Sequence, residues 1–171
     1  DEDQKKNVTL VLGGVHPDEL TPVHLAFQFA QALQKNPELY LNSHVIVAPL
    51  VNPDGFFVNP PKRTNANGVD LNRNFPTSTW NKYAYQVWFK SKQKDKRKFP
   101  GYFANSEQGT RFQADLIEKF RPDKVISIHA PLAFLDLDYE IPRLLTIGKL
   151  TEQQKKARNL AELLSRSAGN Y

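Results

Sequence analysis

The sequence contains no cysteine. That single absence excludes disulfides, thiolate metal ligands and cysteine nucleophiles together. It leaves the compartment open, because a chain without thiols folds equally well in an oxidising space. Methionine is absent too. A chain without its initiator is expected to be a mature or excised piece, with any leader removed or left out. No n-region and h-region pair opens it, and no apolar run is long enough to cross a bilayer. Internal repeats and low-complexity blocks are also missing.

What is present is an ordinary globular composition. Of 171 residues, 40% are hydrophobic and 24% charged, which suits a single domain over residues 1–171 with a real core. The net charge is +5, and much of it sits in Lys90–Lys98, KSKQKDKRK. Such a run reads as a solvated loop or helix face. Its functional alternative is attraction to a polyanion: a cell-wall polymer, a membrane surface or nucleic acid. No nucleic-acid motif accompanies it, so nucleic acid is not an expected partner.

Hydrophobic patterning alternates strands with helices. Val8–Leu12 and His44–Val51 read as buried strands, Val125–Ile128 as a third and Leu144–Ile147 as a fourth. Thr21–Lys35 reads as a helix with Pro22 in its first turn. Trp80–Phe89 is a candidate short helix. Ser106 reads as the N-cap of a helix through Phe120. The last helix starts at a Thr151–Gln154 capping box and closes near Gly169. Asn52-Pro53-Asp54-Gly55 is turn chemistry. The alternation predicts an α/β fold, a mostly parallel mixed sheet flanked by helices. Ligands in such sheets bind beyond the carboxyl ends of the strands. His16, the Asn52 turn and His129 all follow strands, so all three fall on one sheet edge.

His16 and Glu19 are three residues apart, a spacing that lets both point to one spot. His129, at another strand end, can supply a third ligand. Two imidazoles and one carboxylate form a zinc set that leaves a fourth position open for water. Each histidine alone reads equally as an ordinary loop or core residue. His24 and His44 lack such partners and read as structural.

Four motifs occur in order: HPDE at 16–19, NPDG at 52–55, GVDLNRNFP at 68–76 and SIHAP at 127–131. Together they resemble the M14 zinc carboxypeptidase family over residues 8–131. The resemblance implies a zinc-carboxypeptidase-like fold and zinc held by His16, Glu19 and His129. It implies that Asn72 and Arg73 grip a substrate carboxylate and that Arg63 steadies the developing oxyanion. Asp70 is implied to orient a zinc-binding histidine. The residues alone leave Arg63 and Arg73 open to surface roles, and Asp70 open to capping the Asn67–Gly68 turn.

The family also carries a strand-borne general-base glutamate beyond its last zinc histidine. No residue here matches it: Glu140 lies in an irregular acidic segment, and Glu152 and Glu162 fall on the last helix. The family's downstream tyrosine has no match either. The chain is therefore expected to be incomplete at the C-terminus, or else to be a non-catalytic binder of carboxylated peptides.

SIHAPL and the compact loop after Arg63 resemble the family's bacterial peptidoglycan-processing branch. That branch includes murein peptide amidases and D,L-carboxypeptidases that cut the γ-D-Glu–meso-diaminopimelate bond. The implied partner is a peptide or muropeptide with a free carboxylate, and an ordinary peptide is the alternative. Asp136, Asp138 and Glu140 either meet a substrate ammonium or form a solvated acidic loop. A periplasmic or extracellular location follows from that branch, with the cytoplasm as the alternative.

Overall fold

A computed structural model describes residues 6–131 and 150–167. The predicted fourth strand, the acidic residues Asp136, Asp138 and Glu140, and Gly169 lie outside the described residues. The chain divides into two compact units, 1–130 and 131–171.

In the first unit β1 (Asn7–Leu12) is central, with β2 (Ser43–Ala48) and β3 (Lys124–Ser127) on either side, both parallel to it. The mostly apolar sequence of β1, NVTLVL, suits its place, since an inner parallel strand is covered on both faces. Leu10, Val11 and Leu12 are buried. Leu10, Leu12, Val15, Ala48, Val51 and Leu71 form the core, with Ile46 and Leu116 packed against it. The α/β reading and the parallel order are both realised.

β1 leads into α1 (Leu20–Lys35), which buries Pro22, Val23 and Ala26. β2 stops at Ala48, short of the predicted Val51, because the chain turns into α2 (Pro53–Phe56). Asn52 accepts from the Gly55 N–H at 3.2 Å, as its turn chemistry implies. Residues 81–90 are helical, as a π-helical turn (Asn81–Tyr85) followed by α3 (Gln86–Lys90).

The helix before β3 is α4 (Gln108–Phe120), and Ser106 is not its N-cap. Glu107 holds that position with no side-chain cap, and the Ser106 hydroxyl donates to the Glu107 carboxylate instead. In the second unit, α5 (Glu152–Ser167) begins at the predicted capping box. The Thr151 N–H donates to Gln154 Oε1 at 2.8 Å, and the Gln154 N–H donates to Thr151 Oγ1 at 3.2 Å. Among the described residues, no helix is long and apolar enough to cross a membrane.

Candidate metal centre

The loops after β1 and β2 stay zipped beyond the sheet. The Gly13 N–H donates to the Ala48 carbonyl at 2.9 Å, and the Val51 and Asn52 N–H groups donate to Gly13 and Gly14 carbonyls at 3.0 Å. Gly14 has a φ of 62°, a left-handed conformation that costs glycine little. A Cβ on Gly13 would lie 2.6 Å from the Ala26 Cβ, so glycine lets α1 press against this loop. His16 is thereby buried at 3% exposure. The Glu19 N–H closes the turn on the His16 carbonyl at 3.1 Å. Both side chains then meet, with His16 Nδ1 3.1 Å from Glu19 Oε1.

β3 brings the third residue. The Ile128 N–H donates to the Leu12 carbonyl at 2.9 Å, extending the pairing and placing His129 beyond the strand end. His129 Nδ1 is 3.2 Å from Glu19 Oε2, and the Ala130 N–H donates to that same oxygen at 2.9 Å. The two imidazole centroids are 4.6 Å apart with the rings tilted by 50°. One ligand atom from each of His16, Glu19 and His129 lies within 4.8 Å of the others.

The donor chemistry fits a divalent cation. Asp70 is fully buried, and its Oδ1 lies 3.0 Å from His16 Nε2. Burial works to raise the Asp70 pKa, but the His16 hydrogen bond and the charges of His16, Arg63 and Arg73 outweigh it. Its pKa is therefore held below the ordinary carboxylate value. An ionised carboxylate only accepts, so His16 Nε2 carries a hydrogen towards Asp70, and holding a cation would require Nδ1 to present its lone pair beside Glu19. Burial, then repulsion from His16, lower the His129 pKa, although Glu19 works against them. His129 is thus a neutral imidazole over most of the physiological range. The Ser127 hydroxyl, 3.0 Å from His129 Nε2, can accept that nitrogen's hydrogen and leave Nδ1 free. With both Nδ1 atoms unprotonated, two lone pairs would face the Glu19 carboxylate, an arrangement that a cation among them would stabilise. The partners on the far nitrogens are the kind that orient metal-binding histidines.

Arg63 joins the cluster. Its Nε donates to Asp70 Oδ2 at 3.0 Å and a terminal nitrogen donates to Glu19 Oε1 at 3.3 Å. Asn52 donates to the Arg63 carbonyl at 3.4 Å, so the β2 turn helps to place it. Asp70 also caps a 3₁₀ turn, Leu71–Arg73, by accepting from the Asn72 N–H at 2.9 Å. The Asn67–Gly68 turn is capped by Asn65 instead, which accepts from the Asn67 and Val69 N–H groups at 3.1 and 2.9 Å. Asn72 and Arg73 are exposed on the Asp70 turn. The Arg73 guanidinium donates to the Asn72 carbonyl at 2.9 Å, and no hydrogen bond ties either side chain to the imidazoles or to Glu19. His24 and His44 are exposed and take no part.

Two supporting residues escaped the sequence reading. Asn74 is fully buried; its amide donates to the Pro100 and Phe103 carbonyls at 2.8 and 3.0 Å, and its oxygen accepts from the Glu107 N–H at 3.2 Å. Glu107, 6% exposed, accepts from Asn65 at 2.6 Å and from Asn67 at 2.8 Å. Together they pin the 65–74 loop to the start of α4. The only available signal was the density of Asn in that loop, and it did not name the partners.

The basic run is largely solvent-facing. Its fixed point is Arg97, paired with Asp18 at 2.7 Å.

Murein peptide amidase A of Escherichia coli K12 is 35% identical over 129 residues, covering 74% of this chain and 50% of that protein. The Vibrio campbellii protein of the same name is 35% identical over 129 residues, covering 74% and 49%. The chain thus spans about half the length of the curated relatives it matches. The crystal structure of thrombin-activatable fibrinolysis inhibitor superposes with a TM-score of 0.68 over 100% of this chain and 46% of that one, at 18% identity. That likeness concerns the fold alone. The family model for zinc carboxypeptidases, peptidase family M14, matches residues 1–170, and the chain belongs to that family.

Proposed function

We propose that this chain is the metal-binding part of a zinc-dependent carboxypeptidase-type hydrolase. Its substrate is a peptidoglycan peptide, cut at the γ-D-Glu–meso-diaminopimelate bond. The observation that carries the reading is the meeting of His16, Glu19 and His129 from two separate strand ends. The murein peptide amidases among its relatives favour the substrate class.

His16, Glu19 and His129 would hold the ion. When bound, zinc supplies Lewis acidity towards a carbonyl oxygen and towards water. Asp70 keeps His16 in the tautomer that presents Nδ1. Arg63 brings positive charge to the place where an oxyanion develops. Arg73 and Asn72 meet the terminal carboxylate, where a planar guanidinium offers two charge-assisted hydrogen bonds. Glu19 and Asp70 are both taken up by the imidazoles and Arg63. Proton transfer is therefore assigned to neither of them. That same commitment favours a second reading, a module that binds carboxylated peptides without cutting them.

The test is to incubate the zinc-loaded chain with L-Ala-γ-D-Glu-meso-diaminopimelate and, separately, with hippuryl-phenylalanine. Release of diaminopimelate supports the hydrolase. Saturable binding of the murein peptide without release supports the module. Cleavage of hippuryl-phenylalanine alone ends the peptidoglycan reading.

A further inference from the structure

A solvent-open cavity of about 460 Å³ lies beside the loop that joins Arg63 to Asp70. Its size falls in the range of about 300–1,000 Å³ typical of small-molecule sites. None of the three candidate metal ligands lines it. Its lining is therefore distinct from the metal ligands, and the reading below does not rest on the function proposed above.

Its walls are aromatic and fixed. Trp88 donates its indole N–H to the Asp95 carbonyl at 2.9 Å and packs on Phe99 at 4.7 Å between centroids. Phe99 meets Tyr102 edge-on at 5.1 Å. Tyr85 stacks between Trp80 and Phe89, at 5.7 and 6.0 Å. Tyr85 is thus covered on both faces, and the half-buried Trp88 and exposed Tyr102 supply apolar ring surface at small entropic cost.

Of its remaining polar side chains only Asn67, which donates to Glu107 at 2.8 Å, is committed to a hydrogen bond or ion pair among the described residues. Lys94 has its ammonium 4.6 Å from the Phe89 ring centre, and neither it nor Lys96 has a carboxylate partner among the described residues. The acids nearby are spent elsewhere: Asp18 on Arg97, and Asp95 on the Arg97 N–H and on Lys98. The hydroxyls of Thr64, Tyr85 and Tyr102 have no hydrogen-bond partner among the described residues. No acidic side chain lines the cavity.

We propose that this cavity binds a carboxylated sugar. The C–H face of a pyranose packs on the aromatic walls, its hydroxyls meet the free hydroxyls, and its carboxylate meets Lys94 and Lys96. A flat aromatic anion such as a nucleotide would use the rings and the lysines. It is the competing outcome of the titration below.

The experiment follows tryptophan fluorescence and the Trp88 indole NMR signal during titration with N-acetylmuramic acid, N-acetylglucosamine and AMP. N-acetylmuramic acid is expected to bind saturably and to shift Trp88. N-acetylglucosamine, with the same ring and no carboxylate, binds more weakly. Lys96→Gln weakens the acidic sugar about tenfold, as loss of a charge-assisted hydrogen bond should, and leaves the neutral sugar unchanged. Tyr102→Ala, at a side chain 78% exposed, leaves the fold intact and weakens both sugars. Chelation of zinc leaves the titration unchanged. The proposal is overturned if N-acetylmuramic acid shows no saturable response, if AMP binds more tightly, or if both variants bind like the parent. It is also overturned if chelation abolishes binding, which would place the sugar at the metal.

Discussion

Asp70→Asn probes the metal centre without changing its shape. The Asp70 carboxylate accepts at Oδ1 from His16 Nε2 and from the Asn72 N–H, at 3.0 and 2.9 Å, and at Oδ2 from Arg63 Nε at 3.0 Å. An asparagine offers one acceptor oxygen and one donor nitrogen, so neither orientation serves all three. With its oxygen towards His16, the amide N–H₂ faces the Arg63 N–H and a buried ion pair is lost. With its nitrogen towards His16, the imidazole is driven into the tautomer that carries hydrogen on Nδ1, the atom that faces Glu19 and would hold the ion. Partners of metal-binding histidines are worth about 10–100-fold in metal affinity, or about 1.4–2.8 kcal/mol. Competition against a chromophoric zinc chelator measures this directly. Asp70→Asn should fall in that range, while urea denaturation confirms a folded chain. Zinc affinity within about twofold of the parent would refute the proposed link from Asp70 through His16 to the metal.

Three further outcomes are expected. Arg73→Ala should leave zinc affinity unchanged and weaken a carboxylate-bearing peptide about tenfold or more, with Arg73→Lys recovering only part, by calorimetry on the zinc-loaded chain. Asn74→Ala should cost about 2–4 kcal/mol in urea denaturation, because it strips donors from two carbonyls and an acceptor from a buried N–H. Glu107→Gln should show a pH-dependent loss of stability. Burial works to raise the Glu107 pKa, but hydrogen bonds from Ser106, Asn65 and Asn67 and the charge of Arg111 bring it below 4.5. A depressed folded-state pKa stabilises the protein above the unfolded value and ceases to do so as pH falls through the folded one. The parent should therefore exceed Glu107→Gln in stability at pH 7, and the gap should close as the pH falls below the ordinary carboxylate range and through the lowered Glu107 value. A gap of constant size would show that the charge is not responsible.

The parts of the fold legible in the sequence were those set by local pattern. Val8–Leu12 is apolar at every position but Thr9 and takes the central position among the three strands. The Thr151–Gln154 box forms both of its reciprocal hydrogen bonds. The shared sheet edge was legible as well, because His16 and His129 each follow a strand of the expected kind.

The residues that support the site were not legible, because their partners are distant in the chain. Ser106 has the chemistry of an N-cap, yet the helix starts one residue later and its hydroxyl serves Glu107. Glu107 in turn is explained by Asn65 and Asn67, which lie 42 and 40 positions away. Nothing in the local sequence specifies that pairing. Asn74 looked like part of a motif string, and its burial under the 100–107 segment emerges only in three dimensions. Asp70 was read as either a turn cap or a partner of histidine. It does both, with the cap falling on the Leu71–Arg73 turn.

Zinc content and a zinc-edge absorption spectrum of the purified chain, taken beside His129→Ala, test the metal centre most directly. The expected result is one zinc per chain, with two imidazole nitrogens and a carboxylate oxygen at about 2.0–2.2 Å. His129→Ala should lose the ion or one nitrogen from its shell. A chain that retains no zinc, or a His129→Ala spectrum identical to the parent, would contradict it.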